Sequence, residues 1–249
     1  MAVSLSCLAS CGSDPLDSCL EDSDGTVDCS GAELNNVDLS GRDLRNVDLS
    51  NADLEQADLT GADLSWTGLS GGRGWRPSLY RANLAGADLT GVNLDFANLT
   101  DANLVGANLA GATGWRPRLY RANLAGADLS GASLTLANLT KTNLTQADLT
   151  DANLSRVDLW RANLTQADLS GANLTGANLL WANFTGADLT GADLSSASLP
   201  KADLSGADFT GVDLSWTDFH WLEGTGAKAD DETVWPEGFD PVAAGVIFK

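Results

Sequence analysis

The sequence is short of the side chains that do chemistry: its 249 residues include one histidine, one methionine and two tyrosines. There is no Cys–His pair and no glycine-rich phosphate loop, so the chain lacks the base, nucleophile or phosphate cradle that a catalytic pocket needs, and no enzyme is expected. Basic residues are also few. The 14 Lys and Arg stand against 34 Asp and Glu, a formal net charge of −20 with a pI near 4.1. That balance removes the attraction to phosphate on which nucleic-acid binders depend. No run of 18 apolar residues is present, which excludes a transmembrane helix. The four cysteines form no CxxC pair and the single His220 lies at the other end of the chain, so neither a zinc site nor any other metal or cofactor is expected.

What the sequence has in abundance is one short pattern. From Gly31 to about Phe219, Leu or Phe falls on every residue number ending in 4 or 9, and we call that position the centre. Of the 38 centres from Leu34 to Phe219, 33 are Leu and three are Phe, with Gly74 and Gly114 as the exceptions. Two residues before the centre stands Ala 26 times and Val five times; the residue between is mostly Asp or Asn. A period of five fits neither regular element, because it scatters the leucines around a helix and sends them alternately to both faces of a strand. A chain that turns a corner once per repeat points every Leu at a common axis. Longer echoes set the number of corners: GWRPxLYRANLAGADL occurs at 74–89 and 114–129, and RANL begins at Arg81, Arg121 and Arg161. Spacings of 40 and 20 bring a four-sided coil of 20 residues back into phase, and not a three-sided one of 15. A disordered low-complexity chain has no use for so long an unbroken register.

At these residues the sequence resembles the bacterial pentapeptide-repeat proteins over roughly 190 residues. The resemblance implies an all-β fold, a right-handed quadrilateral β-helix of about nine to ten coils. At the inter-strand spacing of ~4.8 Å the rod is roughly 45 Å long. One branch of the family consists of acidic rods that resemble duplex DNA, occupy topoisomerase clefts and protect gyrase from quinolones.

The expected organisation is a truncated lipoprotein leader and N-terminal cap at 1–30, the repeat solenoid at 31–221 and a C-terminal capping tail at 222–249. Leu8-Ala9-Ser10-Cys11 resembles a bacterial lipobox, although no Lys or Arg precedes it; the resemblance implies lipid on Cys11. With Cys7 then lost in the leader, Cys19 and Cys29 remain as an even pair that forms a disulfide in an oxidising compartment. In a cytosolic chain Cys29 is instead a small apolar residue beside the first coil. In the tail, Asp240-Pro241 reads as a helix start, with Asp as N-cap and Pro at the first helical position. The tail either caps the open last coil or joins two copies into a homodimer.

Stacked coils turn a spacing of 20 into vertical columns. One column runs Asp48, Gly68, Asp88, Asn108 and then Asp128 to Asp208, an acidic ladder that serves turn geometry or a cation or basic partner. The face before it carries Asn83 to Asn183, a ladder able to share hydrogen bonds between coils. Opposite the acidic ladder stand Arg81, Asp101, Arg121, Lys141, Arg161, Trp181 and Lys201, with Tyr80, Tyr120 and Trp160 beside them. A neighbouring column adds Arg76, Phe96, Arg116, Leu136 and Arg156. Arginine interleaved with aromatics suits a binding hot spot for a protein or a glycan; the bland alternative is cladding that covers corners and offsets charge. Gly74 and Gly114 leave inward gaps that either Trp75 and Trp115 fill or a bulge accommodates. The expected function is a non-catalytic scaffold, lipid-anchored at Cys11 in the envelope and binding through this wall. The alternatives are a cytosolic DNA-mimicking rod that binds gyrase or topoisomerase, and a spacer without a specific partner.

Overall fold

The structure is a computed structural model that describes residues 15–16, 19–21, 25–45, 47–65, 67–69, 77–217 and 226–249. Each five-residue unit is one side of a coil and the corner that follows it. The carbonyl of the centre Leu accepts the N–H of the inward Ala three residues on, as between Leu79 and Ala82 at 3.0 Å. The third residue of each such turn has positive φ, 57° at Arg81 and 64° at Gly86, the requirement of a type II turn. The Asp or Asn before the centre accepts the N–H of the first corner residue, as Asp88 Oδ1 does from Thr90 at 3.0 Å. All three restricted positions of the repeat therefore have a local task.

The remaining backbone groups bond to the next coil. Leu84 N–H donates to Asn103 at 2.6 Å and Asn103 N–H donates to Ala82 at 2.9 Å, a parallel pairing. From Ser78 upward it advances by 20 residues on each of four faces: 83 pairs with 103, 88 with 108, 93 with 113 and 98 with 118. The Leu side chains fill the axis and the Ala beside them line the wall, both essentially without solvent exposure. Where Thr142 replaces the inward Ala, its buried hydroxyl donates to the Leu139 carbonyl at 2.6 Å.

One coil is longer. Asp53 pairs with Ser78, Asp58 with Asn83, Asp63 with Asp88 and Gly68 with Asn93, each 25 residues away. The five additional residues enter between Leu69 and Pro77 and amount to one whole repeat. They leave the leucine register untouched and move every column below them by one face. The acidic ladder therefore continues downward through Asp63 and Asp43, whereas Asp48 and Gly68 stand under Asn93.

The ladder also reaches beyond the leucine register at both ends. Strand β1 (Leu20–Glu21) lies antiparallel to β2 (Val27–Asp28), and β2 is parallel to β3 (Val47–Asp48) at a spacing of 20. Cys29 thus takes a centre position, 1% exposed, and is disulfide-bonded to Cys19. In the tail, Lys228 pairs with Asp208 and Val234 with Asp213. Strand β4 (Lys228–Ala229) receives β5 (Ile247–Phe248) in parallel. Trp235 packs on the last core ring, Phe209, at 6.4 Å and stacks on Phe239 at 5.1 Å. Asp240 Oδ1 does accept the N–H groups of Val242 and Ala243 at 3.0 Å, but no helix follows. The chain makes a single turn and leaves it at Gly245, φ 80°, because β5 pairs with β4 at once. Val242, Ile247 and Phe248 stay exposed at this end.

Ala167, 1% exposed, tests the packing of the wall. Replacing it with Leu should lower the unfolding free energy by about 1–3 kcal/mol, read as a fall in denaturant midpoint; an unchanged midpoint would mean that the wall has room to spare.

Candidate binding face

The four corners of the coil are not alike. From Gly91 to Gly211, one corner is glycine at every level except Asp151. The diagonally opposite corner holds Arg81, Asp101, Arg121, Lys141, Arg161, Trp181 and Lys201, all with φ between 57° and 62°. Glycine adopts this conformation freely, whereas an L side chain there costs roughly 1–2 kcal/mol. Seven successive levels thus accept backbone strain to carry a long side chain.

These side chains order one another. Lys141 lies over the Tyr120 ring at 5.6 Å and over the Trp160 ring at 5.2 Å. Arg161 lies over Trp160 at 4.7 Å and Trp181 at 5.8 Å, and Lys201 over Trp181 at 4.5 Å. Lower down, Arg121 stands over Tyr120 at 6.0 Å while bridging Asp101 at 3.0 Å, and Arg81 stands over Tyr80 at 4.9 Å. Each cation–π contact contributes about 0.5–1 kcal/mol at an exposed site. The rings of Tyr120 and Trp160 are half-buried between cations of successive coils. Their faces are occupied, so what points outward is a row of cationic heads. Among the described residues, Lys141, Arg161 and Lys201 have no carboxylate partner.

The adjacent corner carries Arg116 and Arg156. Arg116 lies over Trp115 at 4.6 Å, and Trp115 meets Phe96 edge-on at 5.0 Å. Trp115 is 42% exposed and does not fill the gap at Gly114. A Cβ on Gly114 would sit 3.1 Å from Pro117 and 3.3 Å from Leu94, so the proline ring and neighbouring leucines already close the core there. The chain does not bulge at this copy, because Thr113 and Arg118 keep the spacing of 20. The other copy, with Trp75 and Arg76, lies outside the described residues, as does Cys11.

Sequence reasoning passed over Arg118, which lies exposed on the face between the two corners. It occupies the position where Asp or Asn normally caps the turn, as Asp158 caps Trp160 N–H at 3.1 Å. A guanidinium cannot accept that bond; the anomaly is readable in the repeat pattern itself. Phe96 and Asp101 likewise act here as partners of Trp115 and Arg121.

The acidic ladder opposite runs Asp43, Asp63, Asp88, Asn108, Asp128, Asp148, Asp168, Asp188 and Asp208. At Asp128 to Asp208 one carboxylate oxygen caps the local turn. The hydrogen bond from Arg45 holds the Asp43 carboxyl down to about 2, below its ordinary 3.8. Burial opposes the Asp208 charge, but Lys249 and Thr210 outweigh it and keep this carboxyl below the ordinary range. The Asn face shares hydrogen bonds between coils, Asn103 to Asn83 at 2.8 Å and Asn143 to Asn123 at 2.9 Å. Among the described residues no cluster of His, Cys, Asp or Glu is arranged to hold a metal ion, and no helix is long and apolar enough to cross a membrane.

A stacked, four-cornered coil of Ala-Asp/Asn-Leu units defines a class of repeat solenoid. The Pentapeptide repeats family matches the chain in eight copies, over 28–65, 43–71, 78–113, 118–156, 152–191 and 187–221, and the chain belongs to that family. Members are generally structural or binding proteins and not enzymes. Among solved structures it is similar to HetL, a pentapeptide repeat protein involved in heterocyst differentiation regulation from the cyanobacterium Nostoc sp. strain PCC 7120. The identity is 34%, covering 88% of this chain and 84% of that one, with a TM-score of 0.32. It is also similar to QnrB1, a plasmid-mediated fluoroquinolone resistance protein, at 22% identity over 86% and 90% of the two chains, TM-score 0.49. A third is a pentapeptide repeat protein of the Arabidopsis thaliana thylakoid lumen, 36% identical over 36% and 66%, TM-score 0.24. Among proteins of curated function, none matches the sequence.

The strain at the basic corner is testable. Arg81→Gly relieves roughly 1–2 kcal/mol of backbone strain and loses one ring contact of about 0.5–1 kcal/mol. Its unfolding free energy should equal or exceed that of the parent chain; a clear loss would mean that the arginine is there for stability.

Proposed function

We propose that this chain is a non-catalytic binding scaffold that engages an anionic partner, an acidic protein or an acidic glycan, through the basic-aromatic face. The coil is right-handed in this reading, nine to ten levels tall, and exported and lipid-anchored at Cys11 in a bacterial envelope. The single observation that carries the binding role is the glycine-free corner: backbone strain is accepted where, and only where, the side chains gained are mostly cations and rings. Strain retained at one site and avoided at the others marks function more than stability. Arg118, which gives up a turn cap, points the same way.

The anionic preference follows from the ring faces being covered. A neutral sugar binds by stacking on an open ring face, and Tyr120 and Trp160 offer none; unpaired ammonium and guanidinium heads recognise carboxylates. A second reading, an acidic rod that occupies a topoisomerase cleft, draws on the net charge of −20. The cationic face disfavours it, since it breaks the even negative field that such mimicry needs.

Immobilised protein should retain poly-L-glutamate or polygalacturonate at low salt, the preferred polymer telling protein from glycan. The double variant Arg121→Glu with Trp160→Ala should keep the circular dichroism and unfolding midpoint and lose the retention. Equal retention by the variant reduces the face to cladding. For the anchor, the full chain expressed in bacteria should take up labelled palmitate, and Cys11→Ala should abolish the label; an unlabelled, cytosolic protein would favour the topoisomerase reading.

A further inference from the structure

The partner need not be foreign. The face bounded by the two basic corners, with Arg118 between them, lies directly across the rod from the acidic ladder. Both are built on the same stacked coils, so their charges repeat with the same rise of ~4.8 Å. From Asp128 to Asp188 the ladder is uninterrupted, and its flanking corners carry only Ala, Ser, Thr, Gly, Gln and Asp151. The second oxygen of each of these carboxylates makes no hydrogen bond among the described residues. On the basic side the carboxylates are already engaged: Asp101 by Arg121, Asp158 by Trp160 and Asn178, Asp95 by Trp115. One side of the rod thus presents free cations and the other free carboxylate oxygens at matched spacing.

We infer that the basic face docks on the acidic ladder of a second copy, so that rods associate side by side. The inference rests on the binding role proposed above and names its partner. Because the two surfaces differ and lie on opposite sides, each added rod leaves one of each exposed. Such a heterologous contact extends into a ribbon instead of closing as a dimer. The cationic stretch from Arg81 to Lys201 spans six coil steps, about 29 Å. That places the contact at the small end of protein interfaces, so a single contact is weak and the ribbon forms at high local concentration. The net charge of each rod opposes approach at long range, but in physiological salt it is screened beyond about 8 Å, while facing ladders meet within that distance.

The test uses sedimentation velocity on the full chain and two variants. Asp148→Asn with Asp168→Asn removes charge from the ladder and keeps the turn caps, since Asn108 already occupies this column. Lys141→Glu with Arg161→Glu reverses the basic face. The parent chain should show concentration-dependent association at low salt that high salt abolishes, and each variant alone should sediment as a monomer. Mixed in equal amounts, the two should pair one to one through the single intact face that each retains, and stop there. A monomeric parent chain at low salt, variants that assemble as the parent does, or a mixture that fails to pair would each overturn the inference. If rods fail to associate while the parent chain still retains an acidic polymer, the binding role stands and only the identity of the partner falls.

Discussion

Every feature of this molecule depends on the backbone pairing between residues 20 apart. A five-residue side is too short to be stable as a strand, and its polar groups would be left open at each corner. Stacking gives each N–H and C=O a partner in the coil above or below, and it seals the leucines into one continuous axis. Because coils touch only their neighbours, stability accumulates level by level, and the open ends are the weak points. The two ends meet that problem differently. At the start, Cys29 takes a leucine position and is tied to Cys19; such a short closed loop contributes about 2–3 kcal/mol. At the finish, Trp235 and Phe239 lie over Phe209, and β5 adds one more strand to the ladder.

The same pairing organises the surface. A side chain on a corner is repeated at a fixed rise, so any bias in the corner sequence becomes a stripe. Here the bias is electrostatic: carboxylates on one side, cations and rings on the other, in a chain that is strongly acidic as a whole. The cations are balanced mainly by ring faces, which hold them in place without neutralising them as carboxylates would. That distinction separates a face that can still attract an anion from one that has satisfied itself. It also turns the rod into an object with two unlike sides, the geometry that lateral association requires.

Much of this was legible beforehand, for a physical reason. The type II corner requires positive φ at one position and a small inward residue at the next, and the core admits only Leu or Phe, so the repeat is written almost without redundancy. The column from Arg81 to Lys201 followed from counting by 20, as did the pairing of asparagines. The longer coil between Leu69 and Pro77 did not follow. An insertion of one full repeat is invisible to a five-residue register, and Gly74 and Gly114 look alike although only the first lies in the inserted stretch. The fate of Trp115 was equally hidden, because the space at Gly114 is closed by Pro117 and Leu94 from another coil. Val27-Asp28-Cys29 did carry the repeat code, and a cysteine in the leucine position concealed it.

The sequence alone determined the four-cornered coil, its packed axis and the existence of a polarised surface, since each of these is set by residues within one repeat or one coil. The tertiary structure alone decided which faces share a column below the long coil, where the tryptophans point and which cations lack a carboxylate. Those outcomes depend on contacts between coils, where a shift of five residues moves a side chain to another face and a neighbouring ring can occupy the space that a partner would need.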